Sequence, residues 1–598
     1  MICGPVKVVV VKRNRLLAEQ GDFQVLLVPD KSRKTEQNQS VDIHECVKKH
    51  IQRKLVEKGI PLSRCSPADD GSIYIWLIRS KLFHDVISYV LLQKDKYGLH
   101  EHTDANCSGD TATNQRKPEE VLLNCCCCAD EKYTLNSSLN SLRTEIISSH
   151  INALLAANGY QASGIDYIKE DGKDSSAQSC MKKLNLCSAH TNTSRKPKGS
   201  NLDILQKLKQ SKYLKLKPVQ ETALAHCSGQ NSWTDSQTSD RCEPCQSVTS
   251  STDEVTRAAG DGGSSTVAME TNLEGFLNLG VFLKESNLPV GKHGYDSNLG
   301  LLPVPSSGST VLQGEECLKA VHKCLESGIP VILIHIVPHD LEFSQQRVDI
   351  MLKMLFEETV PHLPQSHQIC GTVTTTGLHE EVSAAEYLSV RRKQVEEDCQ
   401  VKHGTDIKGE LWEGMLSTLT SACVKFEMLG THCKQKLKLN LDKDEHGTSA
   451  QVARSGVFVM YNYARLATLF RHFQAAVQNG TYPSLPPVAK VNFSLLREEE
   501  EWSLLFNSVW CFPEMVEGTT RGLDQGQLRL DIQTHKVAQF LTSLSHDVSA
   551  YYSRVHVLVE PRAHLLPLMF ARLYLLKAVQ QVMYNGLQLM GIEPLDQL

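Results

Sequence analysis

Four polar and aromatic side chains near residue 460 have a spacing that suits contact with nucleic acid. Tyr461, Arg465, Thr468 and His472 are separated by four, three and four residues. That spacing places them on one face of a helix. An aromatic ring can stack on an unpaired base, and an arginine can bind a phosphate or a base edge. An ordinary solvated helix face is the alternative interpretation, and we expect Tyr463 in the core.

Other clusters are weaker candidates for chemistry. Cys242 and Cys245 have the spacing of a zinc-binding pair, but a structural zinc site needs four ligands. The nearest candidates, His226 and Cys227, fit no standard second pair. The consecutive residues Cys125–Cys128 cannot all point at one metal from a strand, which favours core packing or exposed reactivity. No phosphate-binding loop of the GxxxxGK[ST] type occurs. We therefore expect no catalytic residue, no metal and no cofactor.

Tyr461, Arg465, Thr468 and His472 form one stripe only if this segment is a helix. From Leu411 onward, apolar residues recur at helical spacing. A helix over Val457–Phe473 would bury an opposite apolar stripe. Further helices are predicted from Glu498, over Lys536–Val555 and over Leu565–Leu589. Residues 411–598 are thus predicted to form a helical bundle.

A buried strand and a following helix are predicted upstream of the bundle. Pro330–Val337 has the β-branched content of a buried parallel strand, and Glu342–Glu357 follows as a helix. This order favours a doubly wound α/β core over residues 118–162 and 272–410. His335 and His339, near the end of that strand, suit either an ancestral ATP site or hydrogen-bonded positions in the core.

Two regions flank or interrupt the core. Residues 1–100 are predicted to form a small α/β unit with strands at Val8–Val11, Val25–Val28 and Ile73–Ile78 and a helix at Ile43–Lys58. Residues 163–271 are poor in aromatic side chains, so we expect a mostly disordered insertion there. Within it, Leu202–Lys217 carries five lysines and is interpreted as a basic helix or a solvated linker.

Composition excludes several classes of protein. The 598 residues carry a net charge of −5, which argues against a generally basic nucleic-acid coat. No secretory signal is visible, so the 20 cysteines do not indicate a disulfide scaffold. No apolar run approaches the ~20 residues that span a bilayer. We expect an intracellular, cytoplasmic protein without a membrane partner.

Four blocks of the C-terminal region resemble the DALR anticodon-binding domain of arginyl-tRNA synthetases. The blocks are Gly456–Leu466, Phe512–Val516, Phe540–Val555, and Ala571–Leu573 continuing to Gly586–Ile592. Their order and spacing fit the family. The resemblance implies that the stripe residues face an anticodon and that Gly591–Leu598 approaches it, although the family usually closes with an Arg-Met pair where this chain has Gln597-Leu598.

A fainter resemblance to the same family extends over the α/β core. Asn136–Tyr160 is similar to the helix that carries the first synthetase signature, and Val331–Leu355 to a later strand and helix of that Rossmann-type core. Ser138-Leu-Asn-Ser141 stands where the family has its two signature histidines. Thr372–His379 stands where the second signature loop would lie, and it contains no lysine. We therefore expect a degenerate class I synthetase-like core and a pseudoenzyme.

The complete combination is also similar to a vertebrate family of non-catalytic proteins. The segments that carry this similarity are Lys425–Leu429, Tyr461–Phe470 and Trp502–Ser508. The resemblance implies an adaptor that recognises arginine tRNA isoacceptors and brings a tRNA 3-methylcytidine methyltransferase to them. Nothing in the residues themselves indicates the methyltransferase. Two alternatives remain: an arginyl-tRNA synthetase-like enzyme that ligates arginine to tRNA with ATP, and a protein scaffold without RNA binding.

Overall fold

The structure is a computed structural model of the 598-residue chain. It describes residues 6–12, 21–29, 40–57, 59–67, 72–100, 120–128, 138–165, 211–216, 275–291, 294–304, 309–356, 363–376, 382–403, 409–441, 448–523 and 527–597.

The first unit is an antiparallel sheet with two helices. Its elements are β1 (Val6–Lys12), β2 (Phe23–Pro29), α1 (Ser40–Glu57), β3 (Leu62–Pro67), β4 (Ile73–Leu77) and α2 (Arg79–Gln93), and the strand order is β1-β2-β4-β3. The predicted strands and the first helix are confirmed. The strand β3 and the helix α2 were not predicted from the sequence.

A buried carboxylate joins this unit to the C-terminal bundle. Asp22 is fully buried and accepts hydrogen bonds from the backbone N–H of Leu77 at 2.7 Å and from the indole N–H of Trp502 at 2.9 Å. The guanidinium of Arg79 lies 3.8 Å from the same carboxylate. Because a buried carboxylate is costly unless its oxygens are satisfied, these bonds fix how the unit packs on the bundle.

The α/β core begins with a strand, a helix and a second strand. These are β5 (Glu120–Cys125), α3 (Leu139–Ala157) and β6 (Gln161–Gly164). A small antiparallel sheet follows, made of β7 (Leu214–Leu216), β8 (Gly275–Asn278) and β9 (Leu301–Val304), with the short helix α4 (Leu279–Glu285) after β8. Neither interpretation of Leu202–Lys217, a basic helix or a solvated linker, holds for its described part, because Leu214–Leu216 pairs with β8 as a strand.

The rest of the core completes a parallel sheet. Its elements are α5 (Ser309–Glu326), β10 (Val331–Pro338), α6 (Glu342–Phe356) and β11 (Gln365–Cys370). The strands run parallel in the order β11-β10-β5-β6. The predicted buried strand at 330–337 and the helix after it are confirmed.

Both faces of this sheet are covered, as the doubly wound prediction requires. Val121 and Leu123 of β5 belong to the apolar cluster that contains Leu142 and Ile146 of α3. Leu122, which lies between them, belongs to a second cluster with α5 and α6. Alternate residues of a strand point to opposite faces, so helices flank the sheet on both sides.

The remaining elements include the helices of the C-terminal bundle. They are β12 (Val373–Thr376), α7 (Ala384–His403), α8 (Glu410–Leu429), β13 (Leu437–Asn440), α9 (Thr448–Gln478), α10 (Glu499–Ser503, continued by a π-helical turn at Leu504–Val509), α11 (Phe512–Glu517), α12 (His535–Arg554) and α13 (Leu566–Leu589). The four predicted helices correspond to α9, α10, α12 and α13.

Close helix contacts and a buried histidine hold the bundle together and attach it to the core. Gly456 of α9 packs so closely on α8 that a Cβ atom there would lie 2.5 Å from the carbonyl oxygen of Ala422. His150 of α3 is buried, and its ring nitrogens lie 2.9 Å and 3.1 Å from the carbonyl oxygens of Leu589 and Thr534. The core and the bundle therefore share one interface.

The sequence also predicted a disordered insertion and the absence of a membrane-spanning segment. The predicted disordered insertion at 163–271 lies outside the described residues except at 163–165 and 211–216. Among the described helices, none is long and apolar enough to cross a membrane.

Candidate nucleic-acid interface

The predicted stripe lies along one face of α9. The side chain of Tyr461 is 45% exposed, and His472 is also exposed. Arg465 and Thr468 are half-buried, whereas Tyr463 is buried as expected. At a rise of ~1.5 Å per residue the four stripe residues extend over about 16 Å of the helix. The stripe is thus long enough to contact several nucleotides.

Two residues that the sequence analysis missed extend the stripe towards the start of α9. Arg454 is exposed and Phe458 is half-buried. They precede Tyr461 by seven and three residues, so they lie on the same side of the helix. The helical spacing in the sequence contained this signal. Each end of the extended stripe therefore carries an exposed basic or ionisable side chain.

The helix α12 supplies the second wall. The guanidinium carbon of Arg465 lies 4.0 Å from the centroid of the Tyr552 ring. Phe458 packs on His546, with ring centroids 4.8 Å apart. We call this surface the α9–α12 groove; its residues are Arg454, Phe458, Tyr461, Arg465, His546 and Tyr552.

The charge of the groove is positive. Within the part of the chain that the structure describes, no ion pair joins Arg454 or Arg465 to a carboxylate. The nearby carboxyl of Asp547 has its pKa raised by burial, an effect that His546 partly opposes. A raised pKa means that the surroundings disfavour a negative charge at that site. A polyanion that approaches the groove thus meets two arginines that form no ion pair with the described carboxylates.

The register of α12 separates two adjacent tyrosines. Tyr551 is buried and donates its hydroxyl hydrogen to the carboxylate of Glu501 at 3.0 Å. Arg572 also bonds to that carboxylate, at 2.8 Å. Burial, reinforced by the charge of Glu501, raises the pKa of the Tyr551 hydroxyl. Tyr551 is therefore structural, whereas Tyr552 is half-buried and turned to the groove, where it contacts Arg465.

The last described residues pack back onto the bundle. The ammonium of Lys425 donates to the carbonyl oxygen of Gly591 at 2.7 Å. Arg471, one residue before His472, donates to the carbonyl oxygen of Asp596 at 3.0 Å. The segment from 591 to 596 thus lies beside the C-terminal part of α9, near one end of the stripe.

The residues at the expected position of the first signature take part in helix capping and packing. Ser138 caps α3 by accepting a hydrogen bond from the backbone N–H of Asn140 at 3.2 Å. The side-chain oxygen of Asn140 accepts a hydrogen bond from the backbone N–H of Val373 at 2.7 Å. Ser141 is buried. The described residues of the two signature positions therefore contact one another directly.

The next residue along α3 holds the same region together. Arg143 is completely buried and donates to the carbonyl oxygens of Gly371, Gln435 and His432 at 2.9, 2.7 and 3.3 Å. It also donates to the hydroxyl of Thr431 at 3.2 Å. Burial lowers the pKa of this guanidinium, but the four acceptors compensate for much of its lost hydration. One side chain thus fixes the two loops that precede β12 and β13.

The two histidines near the end of β10 have different environments. His335 is fully buried; Asn124 and Gln345 donate to its Nδ1 at 2.8 and 2.9 Å, and its Nε2 lies 3.0 Å from the amide oxygen of Gln365. Burial, and to a lesser extent the charge of His367, lowers the pKa of His335 to about 3. His335 is therefore a neutral, hydrogen-bonded core residue. The side chain of His339 is 67% exposed, so the two do not form a joint site.

The remaining candidates give no metal site in the described residues. Cys125, Cys126 and Cys127 are buried, with the sulfur atoms of Cys125 and Cys127 3.6 Å apart. No group of three or more potential metal ligands occurs among the described side chains. The zinc-like pair at 242 and 245 lies outside the described residues.

The overall fold and the C-terminal sequence both resemble those of known proteins. The fold is similar to that of an arginyl-tRNA synthetase from Thermus thermophilus, with a TM-score of 0.51, 14% identity, and coverage of 99% of this chain and 97% of that one. Residues 459–598 match the family model described as the DALR anticodon binding domain. The chain therefore has a class I arginyl-tRNA synthetase-like core followed by a DALR-type helical bundle, as the sequence predicted.

The sequence of the chain is also similar to that of individual known proteins. The chain is 38% identical over 331 residues to "DALR anticodon-binding domain-containing protein 3" of Mus musculus, over 53% of this chain and 60% of that protein. Its counterpart in Danio rerio is 36% identical over 54% of this chain and 55% of that protein. An arginine–tRNA ligase of Acidithiobacillus ferrooxidans is 33% identical over 24% of this chain and 21% of that enzyme. The chain thus spans 55 to 60% of the length of the first two relatives.

Proposed function

We propose that this chain is a non-catalytic tRNA-binding protein that recognises arginine tRNAs through the α9–α12 groove. The observation that carries the proposal is the basic and aromatic groove in the segment that matches an anticodon-binding family. Single-stranded loops of RNA are recognised by stacking of splayed bases and by hydrogen bonds to base edges. An anticodon loop is a substrate of this kind.

The groove offers both types of contact. Tyr461 presents an exposed ring on which an unpaired base can stack. The guanidinium of Arg465 rests on Tyr552, which restricts its orientation before RNA arrives. A preorganised cation loses less conformational entropy on binding, and arginine can bond a phosphate or a guanine edge in a bidentate manner. Arg454, Thr468 and His472 would add polar contacts along the same face.

Several observations support a non-catalytic role. Adenylation develops negative charge on phosphate oxygens, which positioned cations must stabilise. Ser138 and Ser141 carry no charge where the synthetase family has histidines, and Ser141 is buried. The segment 372–379 contains no lysine. Losing such donors typically costs on the order of several kcal/mol each in transition-state stabilisation.

An exchange assay separates this proposal from the enzyme alternative. The full chain is incubated with arginine, ATP and labelled pyrophosphate, with and without arginine tRNA. We expect no arginine-dependent label in ATP, while a bacterial arginine–tRNA ligase run in parallel gives a strong signal. Arginine-dependent exchange that disappears with an inactive amino acid would establish catalysis and overturn this part of the proposal.

We further propose that the bound tRNA is presented to a tRNA 3-methylcytidine methyltransferase. This part is supported by the family resemblance of the sequence and not by a contact in the structure. The test is a reconstituted methylation of arginine tRNA by the candidate methyltransferase, with and without this chain. We expect stimulation by the wild-type chain and none by Arg465→Ala. Equal methylation in all three reactions would rule out the adaptor role.

A further inference from the structure

A second basic surface lies on the two-stranded parallel sheet formed by β12 and β13. Thr374 pairs with Lys438 and Thr376 pairs with Asn440. Val373 and Leu437 pair on the opposite face, and Leu437 is buried. Paired residues share a face of the sheet, so Thr374 of β12 lies beside Lys438 of β13. We call this surface the Thr–Lys ribbon; its residues are Thr372, Thr374, Thr376, Lys434, Lys436 and Lys438.

The lysines of the ribbon are exposed and follow one another at every second residue. Lys434, Lys436 and Lys438 are exposed, whereas Leu437 and Leu439 are buried. Lys438 lies on β13, and Lys434 and Lys436 lie in the loop that precedes this strand. Lys434 pairs with Asp531 at 3.2 Å. Within the described ranges, Lys436 and Lys438 form no ion pair. The ribbon therefore carries at least two ammonium groups that no carboxylate of the described residues neutralises.

The ribbon has a rigid base. The buried Arg143 bonds to the carbonyl oxygens of Gly371 and Gln435, which precede the two strands. A side chain at Gly371 would overlap the carbonyl oxygen of Gln435, so the two loops pack backbone to backbone. Asn140 holds the first residue of β12 through its N–H. The helix that would carry the first synthetase signature thus supports a fixed surface instead of a mobile loop.

We propose that the Thr–Lys ribbon binds the sugar-phosphate backbone of the same tRNA that the α9–α12 groove recognises. This inference rests on the proposed function and adds a second, sequence-independent contact. Lysine ammonium groups donate hydrogen bonds to phosphate oxygens, and a cluster of exposed cations attracts a polyanion.

The position of the ribbon favours RNA over a small nucleotide. The three lysines of the ribbon are exposed, whereas small ligands bind in concave pockets. The strand β13 also contacts α9, the helix that carries the groove. The ribbon therefore lies on an element that packs against the helix of the groove. Phosphate contacts position an RNA without reading its sequence. The ribbon therefore contributes affinity for any tRNA, and the groove contributes the preference for arginine tRNA.

The test compares two double variants of equal charge change in the full chain. Lys436→Gln with Lys438→Gln removes two exposed cations of the ribbon. As the control, Lys319→Gln with Lys323→Gln removes two exposed lysines of α5, of which Lys319 pairs with Glu316. Affinity for one arginine tRNA and one non-arginine tRNA is measured at several salt concentrations. The exposed positions leave the fold intact, which thermal unfolding checks.

We expect the ribbon variant to bind both tRNAs at least about tenfold more weakly at 0.1 M salt and to show a weaker salt dependence of log K, because each lost phosphate contact reduces that slope by roughly 0.7 to 0.9. The ratio of the two affinities stays the same, and the α5 control behaves as wild type. Unchanged affinity and salt dependence in the ribbon variant overturn the inference while the proposed function stands. If the wild-type chain binds no tRNA, the proposed function itself fails. Loss of only a protein partner by the ribbon variant also contradicts the inference.

Discussion

The guanidinium of Arg465 on α9 rests 4.0 Å from the ring centroid of Tyr552 on α12. This contact joins two helices of the bundle and orients a cation at the surface. A cation on an aromatic ring contributes ~0.5 to 1 kcal/mol at an exposed site, so the contact stabilises the bundle only slightly. Its larger effect is to hold a base- or phosphate-binding group in place before RNA binds.

Replacing Arg465 therefore affects RNA binding more than folding. We expect Arg465→Ala to weaken binding of arginine tRNA by roughly 1 to 3 kcal/mol. Arg465→Lys keeps the charge but loses the planar group that can form two hydrogen bonds to one partner. We expect this variant to bind tRNA more tightly than Arg465→Ala does, but without the preference for arginine tRNA. Fluorescence anisotropy at fixed salt measures both variants. Arg562→Ala, which removes an exposed arginine paired with Glu560, is the matched control. A loss equal to the control would mean that Arg465 does not contact the RNA.

Tyr461 tests the stacking contribution separately. The ring is 45% exposed, so Tyr461→Ala leaves the apolar core in place. We expect Tyr461→Ala to weaken tRNA binding by ~1 to 3 kcal/mol and Tyr461→Phe to retain most of the affinity, because stacking needs the ring and not the hydroxyl. Tyr89→Ala, at a tyrosine 53% exposed on the N-terminal unit, is the control. If Tyr461→Phe weakens tRNA binding as much as Tyr461→Ala does, the hydroxyl makes the contact through a hydrogen bond and the stacking account is wrong.

The buried network around His335 predicts a decline of stability in acid. Burial, aided by His367, lowers the pKa of folded His335 to about 3 from its ordinary value of 6.5. Below pH 6.5 the unfolded chain binds a proton there that the folded chain does not, so the free energy of unfolding falls as the pH drops from 6.5 towards 3. At pH 5 this amounts to on the order of 2 kcal/mol.

The measurement is the urea midpoint of wild type and His335→Gln at pH 7.5 and pH 5. Glutamine removes the titrating group beside Asn124, Gln345 and Gln365. Asp349, Lys353 and His367, which face the same network, remain in both proteins. We expect the variant to be less stable at pH 7.5 but to lose less stability on acidification. Parallel declines in the two proteins would show that His335 does not supply the pH dependence.

Two glycines of neighbouring helices give opposite predictions. A Cβ atom at Gly456 would lie 2.5 Å from the carbonyl oxygen of Ala422, so Gly456→Ala forces α8 and α9 apart and destabilises the fold by roughly 1 to 3 kcal/mol. Gly414 in α8 has no atom within 4 Å of the added Cβ. Gly414→Ala should raise stability by up to ~1 kcal/mol through helix propensity. Thermal unfolding checks both, and equal effects would contradict the close packing of α8 on α9.

Helical periodicity allowed much of the fold to be predicted. The apolar residues of α9 recur with the helical period of 3.6 residues, and β10 is a mostly apolar run rich in β-branched residues. Both patterns depend only on residues that are close in sequence. Strands that form through distant pairing left no such signal. The strand β3 contains Arg64, Ser66 and Pro67 and is identified only by its pairing with β4. Leu214–Leu216 likewise becomes a strand because it pairs with residues some 60 positions later.

The placement of the candidate residues on one helix was predictable from the sequence, but their contacts with a second helix were not. The spacing of Tyr461 and Arg465 placed both residues on one face of α9, and the structure agrees. The contacts of Arg465 with Tyr552 and of Phe458 with His546 depend on how α12 packs, which no local pattern contains. The support of β12 by Arg143 depends likewise on two loops that are distant in sequence.

Binding of the purified full chain to a panel of tRNAs at one stated salt concentration tests the central claim most directly. The panel contains arginine tRNAs with different anticodons and several non-arginine tRNAs, and wild type is compared with Arg465→Ala. The account predicts tighter binding of a subset of arginine tRNAs by wild type and loss of that preference in the variant. Weak, uniform binding by wild type, unchanged in Arg465→Ala, would contradict it and identify the bundle as a packing module.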